Sequence, residues 1–141
     1  MKNFFTHEKI LATTRFLLGF IFLWAFLDKT FGLGIATAPE KAWIMGGSPT
    51  SGFLANAVQG PFASFFNSLS GIPLVDWAFM LGLLFVGVTL MTKKFVKWGA
   101  IVGALMLMLM YFALLFPENN PFVDDHLIYA LVMLYIARRA Q

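Results

Sequence analysis

From Trp98 to Phe116 the chain carries no charged side chain. A run of that length approaches the ~20 consecutive apolar residues with which an α-helix crosses a bilayer. It also leaves few alternatives, because a strand that long is rare and a soluble helix needs a polar face. Three further apolar runs accompany it, at about 10–33, 75–91 and 125–138. With 60% hydrophobic and only 12% charged residues, the chain cannot cover its apolar surface with polar groups in water. Lipid is its natural solvent.

The remaining charges sit at the ends of the runs. Arg15 to Asp28 and Asp125 to Arg138 each span roughly 20 Å of helix at 1.5 Å per residue, less than the ~30 Å hydrocarbon core. Lys and Arg can reach toward the interface, but Asp is too short to do so. The acidic ends are thus expected near the membrane surface and turned toward protein. Lys2, Lys9, Arg15, Lys93, Lys94, Lys97, Arg138 and Arg139 fall on the side of both termini, against Lys29 and Lys41 on the other. That asymmetry predicts a multi-pass cell-membrane protein with both termini cytoplasmic. The tripeptide Ala36-Thr37-Ala38 resembles a signal-peptidase site, but Pro39 disfavours cleavage, so the first run is expected to be a retained helix.

Residues 34–73 form a connection far longer than a helical bundle needs, and an apolar one. Phe62, Phe65, Phe66 and Leu69 follow Pro61 at helical spacing, which suggests a short amphipathic helix folded over the bundle. The expected fold is therefore an all-α integral membrane protein. It is a single domain, a four-transmembrane-helix bundle with a long apolar outer loop, or lid, between helices 1 and 2. Gly99 and Gly103 make a GxxxG step that lets another helix approach closely, within the chain or from a second copy as a homo-oligomer.

The polar residues gather at the outer ends of three helices: Asp28 and Lys29, Asp76, and Asp124, Asp125 and His126. In a small bundle those ends lie within about 10 Å of one another. Trp24 lies one turn below Asp28, Tyr129 one turn below Asp125 and His126, and Trp43 stands in the connection. Helix capping accounts for Asp76 and for one of Asp124 and Asp125, and leaves Asp28 beside Lys29 and a second Asp with a His. A pocket of carboxylates, an imidazole and an ammonium can bind a polar headgroup or exchange protons with a redox-active ring. In that pocket Asp28, Asp125 and His126 are the candidate proton-handling groups, with Arg15, Trp24, Lys29, Trp43, Asp76 and Tyr129 as candidate ligand-binding groups. No metal-ligand spacing, nucleotide loop or second outer histidine for a haem is present, and the basic residues are explained by topology rather than by nucleic acid.

The segments RFLLGFIFLWAFLDKTFGLG (15–34), WIMGGSPTSGFL (43–54), GPF (60–62), DWAFMLGLLFVGVTL (76–90) and NPFVDDHLIYALV (120–132) resemble the DoxX/DoxD family of small four-helix membrane proteins. The resemblance implies the membrane subunit of a thiosulfate:quinone oxidoreductase, with quinone as candidate substrate and a second subunit as partner. Arg15, Asp28, Lys29, Trp43, Asp76, Asp125 and His126 occupy matching motif positions. With no cysteine in the chain, any sulfur chemistry would proceed without a protein thiolate. The alternative expectation is a non-catalytic scaffold or accessory subunit of a larger membrane complex, with the outer loop as its docking face.

Overall fold

The computed structural model describes residues 6–140, so Lys2 of the inner charge set lies outside the described residues. Six α-helices follow one another: α1 (His7–Phe31), α2 (Ser51–Asn56), α3 (Ala63–Ser68), α4 (Pro73–Thr92), α5 (Val96–Ala113) and α6 (Asp125–Arg139). Two single 3-10 turns, Pro39–Lys41 and Trp43–Met45, lie between α1 and α2, and there is no strand among the described residues. Helices α1, α4 and α5 are each long and apolar enough to cross a membrane. They mark the chain as a multi-pass membrane protein. The fourth long helix, α6, has 15 residues and covers about 22 Å at 1.5 Å per residue.

Helix α1 packs on α4, α4 on α5, and α5 on α6. Their common core contains Phe22, Met80, Val86, Leu90, Leu107 and Met133, all buried. The outward faces are as apolar as the inward ones. Phe16, Phe20 and Ile21 on α1, Trp77 and Leu81 on α4, Leu105 and Leu109 on α5, and Leu131 and Leu134 on α6 are all exposed. Helices that bury apolar side chains and also present them outward are built for lipid rather than water.

Small residues set the helix spacing. A Cβ at Gly87 would stand 2.8 Å from the backbone nitrogen of Leu23, so α1 and α4 touch along bare backbone. Gly99 is closed by the Thr89 hydroxyl, and Gly103 by Val86 and Met133. The GxxxG step is filled by α4 and α6 of the same chain, one of the two kinds of neighbour its spacing allowed.

Helix ends depart from the apolar runs by a few residues, for local reasons. Helix α1 stops at Phe31 rather than continuing to 33, because Gly32 turns left-handed (φ 64°) and donates its N–H to the Asp28 carbonyl at 2.8 Å. Helix α5 stops at Ala113, short of 116, and Phe116 adopts φ 67°. There the connection closes the helix end. The Gln59 backbone N–H donates to the Ala113 carbonyl at 2.9 Å, and its side-chain amide donates to the Leu114 and Phe116 carbonyls at 3.4 and 3.1 Å. Terminal helix carbonyls lack intrahelical donors, and Gln59 supplies them. Gln59→Ala is expected to cost about 1 kcal/mol, read as a shift in the denaturation midpoint in mixed micelles.

The single amphipathic face expected after Pro61 is only partly formed. Helix α3 is short; Phe66 is buried with Leu54 and Ala113 while Phe65 points outward.

Candidate functional site

The carboxylates expected in one pocket are instead committed to separate tasks. Asp28 is 1% exposed, and its two oxygens accept the backbone N–H groups of Ile35 and Ala36 at 3.3 and 3.1 Å. It ties the chain leaving α1 back onto the helix end. Asp76 is not an N-cap: α4 begins at Pro73, with Ile72 as the residue before it, and Asp76 lies one turn in. Its Oδ1 accepts the Ser48 hydroxyl at 2.9 Å, the Thr50 hydroxyl at 2.5 Å and the Thr50 N–H at 3.2 Å. Asp76 thereby fixes the turn that leads into α2.

The third polar group is local to α6. Asp124 caps the helix, its Oδ1 accepting the Leu127 N–H at 3.1 Å, while its Oδ2 lies 2.7 Å from His126 Nδ1. The imidazole is thus partnered by Asp124, and Asp125 is exposed. An N-terminal cap satisfies an otherwise orphaned amide. Asp124→Ala should cost about 1–2 kcal/mol, whereas Asp125→Ala should stay within about 0.5 kcal/mol. Parallel denaturation curves check the difference.

The remaining candidates are spread out. Arg15 donates to the Leu90 carbonyl near the far end of α4. Trp24 stacks on Phe20 at a centroid distance of 6.0 Å on the outer face of α1. Trp43 meets Trp77 edge-on at 4.7 Å, and Tyr129 is 41% exposed.

Lys29 stands apart from all of these. It occupies the last turn of α1 and lines a cavity of about 520 Å³ between the N-terminal half of α4 and the C-terminal half of α5. Phe53 and Leu54 of α2, Phe66 of α3, Leu74 and Phe79 of α4, and Met106, Met110 and Ala113 of α5 form its walls. Lys29 is the only charged residue in the lining, and the Thr50 hydroxyl there is already given to Asp76. A second, polar cleft of about 610 Å³ shares Lys29, Pro49 and Phe53 with the cavity and is also lined by Glu40, Lys41 and Ser48. Lys29 therefore stands where an apolar chamber meets a polar vestibule. Among the described residues no carboxylate lies within ion-pair distance of its ammonium. Neighbouring Asp28 spends both oxygens on backbone amides.

Chemically, the chamber offers apolar walls for a tail or ring and one donor-only cationic residue, Lys29, in the lining it shares with the polar cleft. Among the described residues no group of three His, Asp or Glu side chains comes together as a metal-ligand set. Sequence reasoning picked out Lys29 but missed the walls, which are ordinary apolar residues without a motif. It also missed Gln59 and Tyr111, whose hydroxyl donates to the Phe122 carbonyl at 2.6 Å and braces the approach to α6. No family model, curated protein or solved structure matches this chain, so the reading of its role rests on the site's own geometry.

Proposed function

We propose that the chain is a quinone-interacting membrane subunit of the DoxX/DoxD type, working with a second subunit that exchanges electrons with the bound quinone. In this reading α6 is the fourth span of a four-helix bundle, residues 34–73 are a lid on the non-cytoplasmic face, and both termini are cytoplasmic. The charge asymmetry of the ends supports that orientation. The observation that carries the proposal is the 520 Å³ apolar cavity with Lys29 as the one charged residue of its lining, in no direct ion pair. A quinone ring fits such walls, and its carbonyl is an acceptor suited to an ammonium donor. Of the groups expected to handle protons, Asp125 is exposed, His126 is partly exposed beside Asp124, and Asp28 is buried. Asp28, Asp125 and His126 all lie outside the cavity lining, so proton exchange with a bound ring would run through groups beyond its walls.

A second reading, a non-catalytic accessory subunit, draws support from Asp28 and Asp76. Both are buried and occupied by donors of the connecting segment, as structural groups are.

The test is a titration of a short-tailed quinone into the full-length protein held in nanodiscs. Saturable one-site binding is expected, weakened about tenfold or more in Lys29→Met through loss of a charge-assisted hydrogen bond. Non-saturable partitioning, or equal binding by the variant, would overturn the quinone reading in favour of the accessory one.

A further inference from the structure

We propose that the same cavity is a binding site for a free long-chain fatty acid, its carboxylate on the Lys29 ammonium and its chain among the apolar walls of α2, α3, α4 and α5. The inference shares its cavity with the quinone reading but requires no redox chemistry.

Charge is the first argument. An ammonium at the mouth of an apolar chamber gives up part of its hydration, and that loss is best offset by an anion rather than by a neutral dipole. Among the described residues no carboxylate forms a direct ion pair with it. The nearest carboxylate in sequence, Asp28, points both oxygens at the Ile35 and Ala36 amides, and Asp76 is held by Ser48 and Thr50. A quinone offers Lys29 a carbonyl dipole. A carboxylate offers it a full countercharge and a charge-assisted hydrogen bond.

The shape of the site supplies the second argument. The chamber is almost entirely apolar and the adjoining cleft is polar, and Lys29 belongs to both. An amphiphile seated there keeps its head in contact with water while its tail leaves it. Lys41 in the cleft adds positive charge on the same side, opposed by Glu40.

Volume selects a single chain. About 520 Å³ lies within the range of sites for one small amphiphile, roughly 300–1,000 Å³, so a single chain fills it. Flexible Met106 and Met110 in the wall can adjust to a tail of variable shape.

The test uses a diazirine-bearing palmitate with the full-length protein in nanodiscs of zwitterionic lipid. Crosslinks are mapped by peptide mass spectrometry. Labelling should concentrate on the cavity walls within residues 50–79 and 106–113, and unlabelled palmitate should compete with it. Hexadecanol, with the same tail and no charge, and phosphatidylglycerol, an anion with two chains, should each compete at least about tenfold more weakly. Lys29→Met should lower specific labelling by a similar factor and Lys29→Arg should retain it. Ala78→Phe, which fills the cavity without altering charge, should abolish it. Labelling spread evenly over the lipid-facing helices, equal competition by hexadecanol, or full labelling of Lys29→Met would overturn the proposal. Quinone titration of the same sample separates the two readings. Palmitate binding without quinone binding removes the quinone reading alone, and quinone binding without palmitate binding overturns this one alone.

Discussion

Gly87→Val should prevent α1 and α4 from closing on one another. The Cβ it introduces would lie 2.8 Å from both the backbone nitrogen and the Cβ of Leu23, and 2.9 Å from its Cα. Backbone cannot rotate out of the way as a side chain can, so the two helices must move apart along their whole seam. Overpacking a membrane or soluble core generally costs about 1–3 kcal/mol, and a clash against helix backbone belongs at or beyond the upper end. The folded fraction in mild detergent is expected to collapse, read as loss of the monodisperse peak in size-exclusion chromatography. Gly82→Ala is the matching control. Its Cβ would meet the Met106 sulfur at 2.7 Å, the adaptable part of a flexible side chain, and the fold should survive it. Equal tolerance of both substitutions would mean that α1 and α4 do not pack on bare backbone.

Asp76→Ala should release the turn that leads into α2. Three donors lose their acceptor at once: the Ser48 hydroxyl, the Thr50 hydroxyl and the Thr50 N–H. Thr50 is buried, so its unmatched groups remain out of water. Hydrogen bonds to a charged acceptor contribute roughly 1.5–3 kcal/mol each. They are not additive in one cluster, so a total of about 3 kcal/mol is expected. Because Thr50, Phe53 and Leu54 form cavity wall, the loss should appear as new proteolytic cleavage within residues 46–57 together with weaker ligand binding. Unchanged proteolysis would show that the connection is held by its apolar contacts alone.

The long helices were legible in the sequence because lipid forces an apolar residue at nearly every position, inward or outward. That same uniformity hid their ends. Nothing in the run 98–116 marks Ala113 as its last helical residue; the stop depends on Gln59, more than fifty positions away. The polar residues were equally visible, but the separate directions in which they turn were not. Proximity of helix ends says little about which way each side chain points at 3.6 residues per turn. Asp28 turns back to Ile35 and Ala36, Asp76 turns to Ser48 and Thr50, and Trp24 faces outward. Choosing between Asp124 and Asp125 as the partner of His126 required the first turn of α6, where Asp124 sits as the cap. The cavity left no trace in the sequence at all. It is a space lined by Lys29 and by ordinary apolar residues such as Phe53, Phe66, Ala78 and Ala113, and a space has no residue type.

The measurement that bears most directly on this account is a high-resolution map of the full-length protein in native lipid, inspected between α4 and α5. An elongated density in the cavity, ending in a head within hydrogen-bond reach of Lys29 Nζ, is the expected result. A chamber filled by its own side chains, with Lys29 paired to Asp28 or Glu40, would contradict it and leave the polar cluster as a purely structural feature of the fold.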